Sequence, residues 1–502
     1  MQRLSMRISA MLLLLQDLFV LSFCFMTPPL LMPKLRSNLA MPCKEGHASS
    51  IKLAMVAPGQ QKVQVRSWEQ SWLQLVDWAE KEKIKWSGFK VDDVGGYRGA
   101  IATRSLKEED VIVVSPREST LLVQEHDECP FPPDFLDPQY WDEIHEYWNL
   151  RMALRLIYEK RRGEESKWYQ YIQILPTNFD VPLLFSQDEL KELQDPLFIH
   201  EVEIEQKYFE YERRRMADFM PLPPSKEELG WALACAGSRT FTADFGDGRP
   251  VGQCMCPIAD MVNHEDEAEP AFRWNPEEEC FELFAPRSRQ RGEEICISYG
   301  DVNGKHLLHY YGFLPFKNKH EHFVVTEDEI LETVKETLGE EDETKLKDVK
   351  QHALKLLVNE QVSSMKLPLA HLEETSLLLD DTRQSGHEFR VPPSSSPLLP
   401  DLRIFLNLLA VDSQEAKVGA LQLARLLQDG DFLSPSHRSR SLKIFRRVIE
   451  KKMSAMATTM EEDEEILKQT ETSQDKERLR LCVRYRLSLK QMLQNSLSFV
   501  QD

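Results

Sequence analysis

The sequence predicts an α+β fold: a β-rich body split by a helical insertion, followed by an all-α C-terminal region. Three observations predict it. Short β-branched and apolar runs bounded by Gly, Pro or Asn lie near residues 95–116 and return after Gly230. Between these two groups, about residues 136–230, the hydrophobic period changes to that of helices. Beyond Phe323 the helical period persists to the end of the chain.

Taken in order, Ser67 to Ile84 carries Trp72, Leu73, Leu75, Val76 and Trp78 at helical spacing, which predicts a short amphipathic helix. Gly95-Gly96-Tyr97-Arg98-Gly99 reads as a glycine-rich turn feeding the apolar strand that starts at Ala100. A second strand runs from Asp110 to Ser115 and stops at Pro116. In the insertion, Leu150–Tyr158 shows an apolar stripe, and Lys207–Arg215 lies in a long charged helix. Ser186 with Glu189 forms a capping box. Strands then reappear as Pro270–Trp274 and Cys280–Ala285 around the turn residues Asn275-Pro276, and as Glu294–Tyr299. The C-terminal region is punctuated by an acidic patch at Gly339–Asp342 and a Pro/Ser loop at Arg390–Pro397. Helices are predicted over Leu402–Leu409 and Gly419–Leu427. Another opens at the Thr459/Glu462 capping box, and the last runs from Leu479 to Val500.

Composition limits the function classes. The chain has 502 residues, with 62 basic and 82 acidic side chains and a net charge of −20. An acidic surface cannot displace the counterions of nucleic acid, so a general nucleic-acid binder is excluded. Nine cysteines in this length are too few for a disulfide scaffold. The charge is uneven, because residues 1–60 hold six basic and two acidic side chains, leaving the remainder near −24. Arg3 and Arg7 precede apolar runs at Met11–Leu15 and Leu18–Met26, broken by Gln16 and Asp17. That pattern is too short and too broken for stable membrane insertion and reads as a targeting segment. Residues 1–64 are therefore expected to be a presequence for the plastid stroma, bipartite in character. If the leader is not part of the natural protein, the location becomes cytoplasmic.

One constellation carries chemistry. Pro257-Ile-Ala-Asp260-Met-Val-Asn263-His264 is followed about thirty residues later by Gly292-Glu-Glu-Ile-Cys-Ile-Ser-Tyr299, and then by Tyr310-Tyr311-Gly312-Phe313. Ser238-Arg239 lies upstream. Each piece alone has a plain structural reading: loop polar residues, a sheet tyrosine, core aromatics at a turn, a helix cap. No P-loop, nucleophile elbow or dinucleotide fingerprint is present.

Together, in this order, they resemble the SET-domain methyltransferases, and more closely the plant Rubisco large-subunit lysine methyltransferases and their relatives. The resemblance covers about residues 68–500. It implies a SET-domain β-fold with a pseudoknot over residues 65–325, carrying a helical insertion at about 136–230, and a helical substrate-binding domain over 326–502. It implies S-adenosyl-L-methionine as cofactor, a protein substrate presenting a lysine, and action as a monomer. Tyr299 is then the catalytic residue. Gly96, Tyr97, Arg98, Gly99, Asn263, His264 and Tyr299 bind the cofactor, and Arg239, Asp260, Phe272 and Tyr311 line the substrate side. Tyr97-Arg98 departs from the commoner family form of this turn, which leaves open which residue touches the cofactor. The zinc-binding cysteines of histone-type SET enzymes have no counterpart after Tyr299, where only Cys482 remains, so no metal is expected. Two rival functions stay open: a SET-fold scaffold without catalysis in a plastid complex, and a histidine N-methyltransferase of the same architecture.

Overall fold

The computed structural model describes residues 68–94, 97–246, 251–338, 388–392, 400–410, 432, 434–471 and 473–500. The leader, Gly96, the acidic patch, most of the Pro/Ser loop and the helix at 419–427 lie outside the described residues.

Helix α1 (Trp68–Lys81) buries Leu75, Trp78 and Ala79, the face its periodicity selects. Lys83 at φ 60° then reverses the chain into strand β1 (Lys85–Trp86). The hairpin of β2 (Phe89–Asp93) and β3 (Arg98–Ala102) follows, closed by Val94 N donating to Tyr97 O at 2.7 Å. Strands β4 (Val111–Pro116) and β5 (Leu121–Gln124) complete the first β-rich stretch.

The insertion is helical, as its pattern predicts. It contains α2 (Pro138–Glu143), α3 (Trp148–Arg162), α4 (Tyr169–Ile172), α5 (Gln187–Lys191), α6 (Pro196–Arg215) and α7 (Lys226–Arg239). The Ser186/Glu189 capping box is formed in both directions. Helix α3 packs against both α7 and β5, which explains why Leu150, Met152, Ala153, Leu154, Leu156 and Ile157 are all buried.

Strands β6 (Thr240–Ala243) and β7 (Gly252–Met255) pair with β5 in a sheet of order β5-β7-β6. The two-residue strand β8 (Asn263–His264) comes next. The predicted hairpin forms from β9 (Phe272–Asn275) and β10 (Cys280–Phe284), and β10 joins β4 and β1 in a four-stranded sheet. Strand β11 (Glu294–Ile297) lies between β3 and β8. Its pairing with β8 is parallel, Cys296 opposite Asn263 and Ile297 opposite His264. Parallel neighbours need a crossover, and here the β9–β10 hairpin in the other sheet supplies it.

Beyond Gly304–His306, a short helix running into a π turn (Leu307–Tyr311), the chain forms β12 (Phe323–Thr326) and α8 (Glu327–Leu338). Strand β13 (Glu388–Val391) pairs antiparallel with β12. Among the described residues the expected all-α region is therefore helical apart from β13 and the connections between elements, and β12 crosses the expected 325/326 boundary. Phe389 and Val391 are buried, so this segment reads as strand because alternate residues face a core. Helices α9 (Pro400–Leu409), α10 (Pro435–Ser454), α11 (Met460–Thr470) and α12 (Glu477–Phe499) complete the described chain.

Two hydrophobic cores result. One fills the β-body together with the first helices of the insertion and α7. The other combines Phe185, Leu190, Leu193, Phe198 and Val202 of the insertion with β12, β13 and the C-terminal helices. The seam also carries buried charge. Asp463 accepts from Lys490 Nζ at 2.5 Å and from Arg486 Nε at 2.8 Å, while Arg486 Nη1 donates to the Glu192 carbonyl at 2.7 Å. Its two cations hold the Asp463 carboxyl below its usual range against the opposing effect of burial. Removing one partner of such a group strands the others. Asp463→Ala should lower unfolding stability by about 3–5 kcal/mol, read as a fall in denaturation midpoint; an unchanged midpoint would show that water reaches and solvates Arg486 and Lys490.

Candidate active site

The site is assembled where β8 and β11 run side by side. Asn263 Nδ2 donates to Arg98 O and to Glu294 Oε1, both at 2.8 Å. This one amide therefore ties β8 to β3 and β11 at once. Its approach requires the glycine at 99: a Cβ there would collide with Glu294 Oε1 and stand 2.9 Å from Asn263 Nδ2. Gly99 thus admits the Asn263–Glu294 pair. With both Nδ2 hydrogens engaged, only Oδ1 of that amide is left to meet a ligand.

His264 is oriented from both sides. The backbone N–H of Tyr299 donates to Nδ1 at 3.1 Å, so that nitrogen is an acceptor. Nε2 then carries the proton and donates to Asp266 Oδ1 at 3.0 Å. Burial lowers the His264 pKa despite Asp266, keeping the ring neutral.

Tyr299 follows the end of β11, and its hydroxyl donates to Val262 O at 2.9 Å. Its ring stacks on Tyr311, centroids 4.7 Å apart and 26° between planes. Burial, followed by the neighbouring Tyr311, raises the Tyr299 phenol far above its ordinary pKa. Burial alone pushes Tyr311 up to about 12. Both phenols are therefore neutral at physiological pH. Tyr311 is set by the π turn, a feature found disproportionately at functional sites. Gly312 ends the turn at φ +74°, in close contact with the Asp180 carbonyl, where a side chain would be both strained and crowded.

Arg239 and Asp260 form a buried pair. Arg239 Nη1 donates to the Asp260 carbonyl and to Oδ2, both at 3.0 Å. Burial disfavours the Arg239 cation, but the Asp260 carboxylate more than offsets this and keeps it charged. The Arg98 guanidinium lies 4.2 Å over the Trp68 ring and donates to Ile174 O at 3.1 Å. Tyr97 is 55% exposed at the rim. Phe272 stacks between Phe241, at 4.3 Å, and Phe281, at 5.4 Å. The structure thus connects Gly99, Arg98, Asn263, His264, Tyr299 and Tyr311 directly, brings Arg239 and Asp260 together in an adjoining pair, and places Phe272 in an aromatic stack of its own. Among the described residues no three His, Cys, Asp or Glu side chains gather as a metal site.

Residues 97–300 match the SET domain family and residues 343–493 match the Rubisco LSMT substrate-binding family. The chain thus carries a SET domain followed by a Rubisco LSMT substrate-binding domain. Among similar curated proteins are the actin-histidine N-methyltransferases of Papio anubis and Homo sapiens. Each is 25% identical over 438 residues, covering 84% of this chain and 67% of the relative. Similar solved structures include the SET domain of LSMT bound to lysine and AdoHcy, 20% identical, TM-score 0.61, covering 87% of this chain and 92% of that one. Another is Rubisco LSMT bound to sinefungin and monomethyllysine, 20% identical, TM-score 0.60, covering 86% and 91%. At that identity the likeness is one of fold.

Within this SET domain, four contributors were not legible in the sequence: Glu294, Asp266, the Val262 carbonyl and Tyr171. Glu294 sits in a plain strand pattern, and only the register opposite Ile101 brings it against Gly99 and Asn263. Glu321 belongs to the same group of hidden contributors. It accepts from Gly304 N at 2.9 Å, at the start of the turn that carries Tyr311. Burial, reinforced by Asp266, raises its carboxyl to about 7. A carboxyl raised on folding binds its proton more tightly in the native state than in the unfolded chain, so its contribution is lost as pH rises from about 4.5 to about 7. Glu321→Gln keeps the acceptor and removes the charge. It should match the wild type in melting temperature near pH 4.5 and gain about 2–3 kcal/mol on it by pH 8; a constant offset across that range would show that Glu321 is ionised throughout.

Proposed function

We propose that the chain is an S-adenosyl-L-methionine-dependent protein-lysine N-methyltransferase, with Tyr299 at the transfer site. The observation that carries this reading is the Tyr299 hydroxyl, held on the Val262 carbonyl beside the stacked Tyr311, where Asn263 and His264 meet β11. The residues present fit the cofactor. A sulfonium is a cation, and the ring faces and carbonyl oxygens here suit one. The two nearby guanidinium groups are both engaged, Arg239 by Asp260 and Arg98 by Ile174 O and Trp68. Asp260 Oδ1 is buried without a hydrogen-bond partner, adding a negative group on the substrate side. Asn263, through Oδ1, and the backbone of Asn263 and His264 would hold the cofactor, which when bound supplies an electrophilic methyl.

The chain's own residues have narrower tasks. Tyr299 stays protonated, so it orients the acceptor nitrogen rather than abstracting its proton. Because its hydrogen goes to Val262 O, its lone pairs remain free to receive an N–H of the acceptor. The Tyr299–Tyr311 stack forms one flat wall and excludes water from the attacking side. The acceptor must arrive as the free base, since a lysine in solution has a pKa of roughly 10.4.

A histidine acceptor is the second reading, favoured by the names of the curated relatives. Aromatic faces suit the methylated ammonium that a lysine acceptor becomes on transfer, which favours lysine. Residues 65–502 with labelled cofactor and Rubisco, aldolase or actin should label lysine, and Tyr299→Phe should lower the rate by about a hundredfold. With lysine the rate climbs through pH 9, whereas an imidazole acceptor levels off near its pKa of roughly 6.5. Label on histidine would select the second reading. Cofactor binding with no label on any of the three proteins or in a stromal extract would leave the fold as a scaffold.

We further propose that the substrate is a plastid protein, on the strength of the basic, acid-poor leader. Residues 1–64 fused to a fluorescent protein should carry it into plastids; diffuse cytosolic fluorescence would remove this part of the reading.

A further inference from the structure

We propose that Tyr171 of the helical insertion is a positioning residue for the transfer site, acting through Asp260 on the Val262 carbonyl that receives the Tyr299 hydroxyl. The inference rests on the reading of Tyr299 as the transfer tyrosine.

Tyr171 is fully buried, and its hydroxyl donates to Asp260 Oδ2 at 2.7 Å across 89 residues of sequence. The same oxygen receives Arg239 Nη1 at 3.0 Å, while Oδ1 is buried without a partner. Asp260 is therefore held through one carboxylate oxygen, by Tyr171 of α4 and by Arg239 at the end of α7. The backbone around it is strained. Ile258, fully buried and β-branched, sits at φ 72°, ψ −46°. Such a conformation persists only where its surroundings impose it. The turn closes through Asp260 N to Cys256 O at 3.1 Å and Met261 N to Ile258 O at 3.2 Å, and it delivers Val262 directly into β8. Fixing Asp260 fixes this turn, and the turn aims the Val262 carbonyl.

The segment bearing Tyr171 holds the opposite side as well, since Ile174 O accepts from Arg98, whose own carbonyl receives Asn263 Nδ2. One short piece of the insertion thereby touches the supports of both Asn263 and Tyr299. Nothing in the fold requires a tyrosine hydroxyl here for packing: phenylalanine fills the same volume.

The test is a double-mutant cycle in the full chain, using Tyr171→Phe, Asp260→Asn and the pair, each checked for an unchanged melting profile. With labelled S-adenosylmethionine and the protein the wild type labels best among Rubisco, aldolase and actin, Tyr171→Phe should lower kcat about tenfold, equivalent to about 1.4 kcal/mol. It should leave the dissociation constant for S-adenosylhomocysteine, by calorimetry, within about twofold. On the Asp260→Asn background the same change should have almost no further effect, because its route is already cut. A loss of the same size on both backgrounds, or an unchanged kcat, would overturn the proposal.

A second readout does not depend on activity. With tyrosine labelled at Cζ, the Tyr299 resonance, identified by its loss in Tyr299→Phe, should move in Tyr171→Phe and stay put when Tyr171→Phe is added to Asp260→Asn. If the wild type transfers no methyl group, the functional reading fails while this signal still decides the coupling. An unmoved Tyr299 resonance refutes the coupling whatever the activity.

Discussion

The parallel contact between Asn263-His264 and Cys296-Ile297 is the constraint on which the site depends. It is only two residues long, too short to persist on backbone hydrogen bonds alone. What holds it is the Asn263 amide, which bridges Arg98 O and Glu294 Oε1, with Gly99 leaving the space for it. From that contact follow the His264 tautomer, the place of the Tyr299 backbone N–H and the aim of its hydroxyl at Val262. The side chains that would do chemistry are thus positioned mainly by main-chain atoms of their neighbours.

The insertion is more than a lid over this arrangement. Its first helices and α7 share the core of the β-body, while Phe185, α5 and the start of α6 share a second core with the C-terminal helices. The buried Asp463–Arg486–Lys490 cluster, joined to Glu192, fixes the register of that second contact. Hydrophobic packing is permissive of small slides, whereas a buried charge tolerates no loss of its partner. The insertion is therefore anchored on both sides, by the first core around Tyr171 and by Glu192 at the second contact.

Electrostatically the site is quiet at its centre. His264 is neutral, Tyr299 and Tyr311 keep their protons, and Arg239 is matched by Asp260. A site without a free base or a free cation suits an acceptor that arrives already neutral and a donor that is itself positive. It is poorly suited to acyl or phosphoryl transfer, which need a nucleophile–base pair or anion-binding donors.

Much of this was legible in the sequence. Periodicity located α1, α3, the β9–β10 hairpin and both capping boxes, because these depend on neighbours within a few residues. Motif order pointed to Asn263, His264, Tyr299 and Tyr311. The exception β13, and the hidden roles of Glu294, Glu321 and Tyr171, share one cause: each depends on a partner far along the chain. Phe272, chosen by motif position, stands in an aromatic stack that the sheet register sets. Local sequence determined which segments are helix or strand and which residue types the site would contain. Only the tertiary structure decided which hydrogen went to which oxygen, because those distances are set by strand register and helix packing, and neither is a property of any one segment.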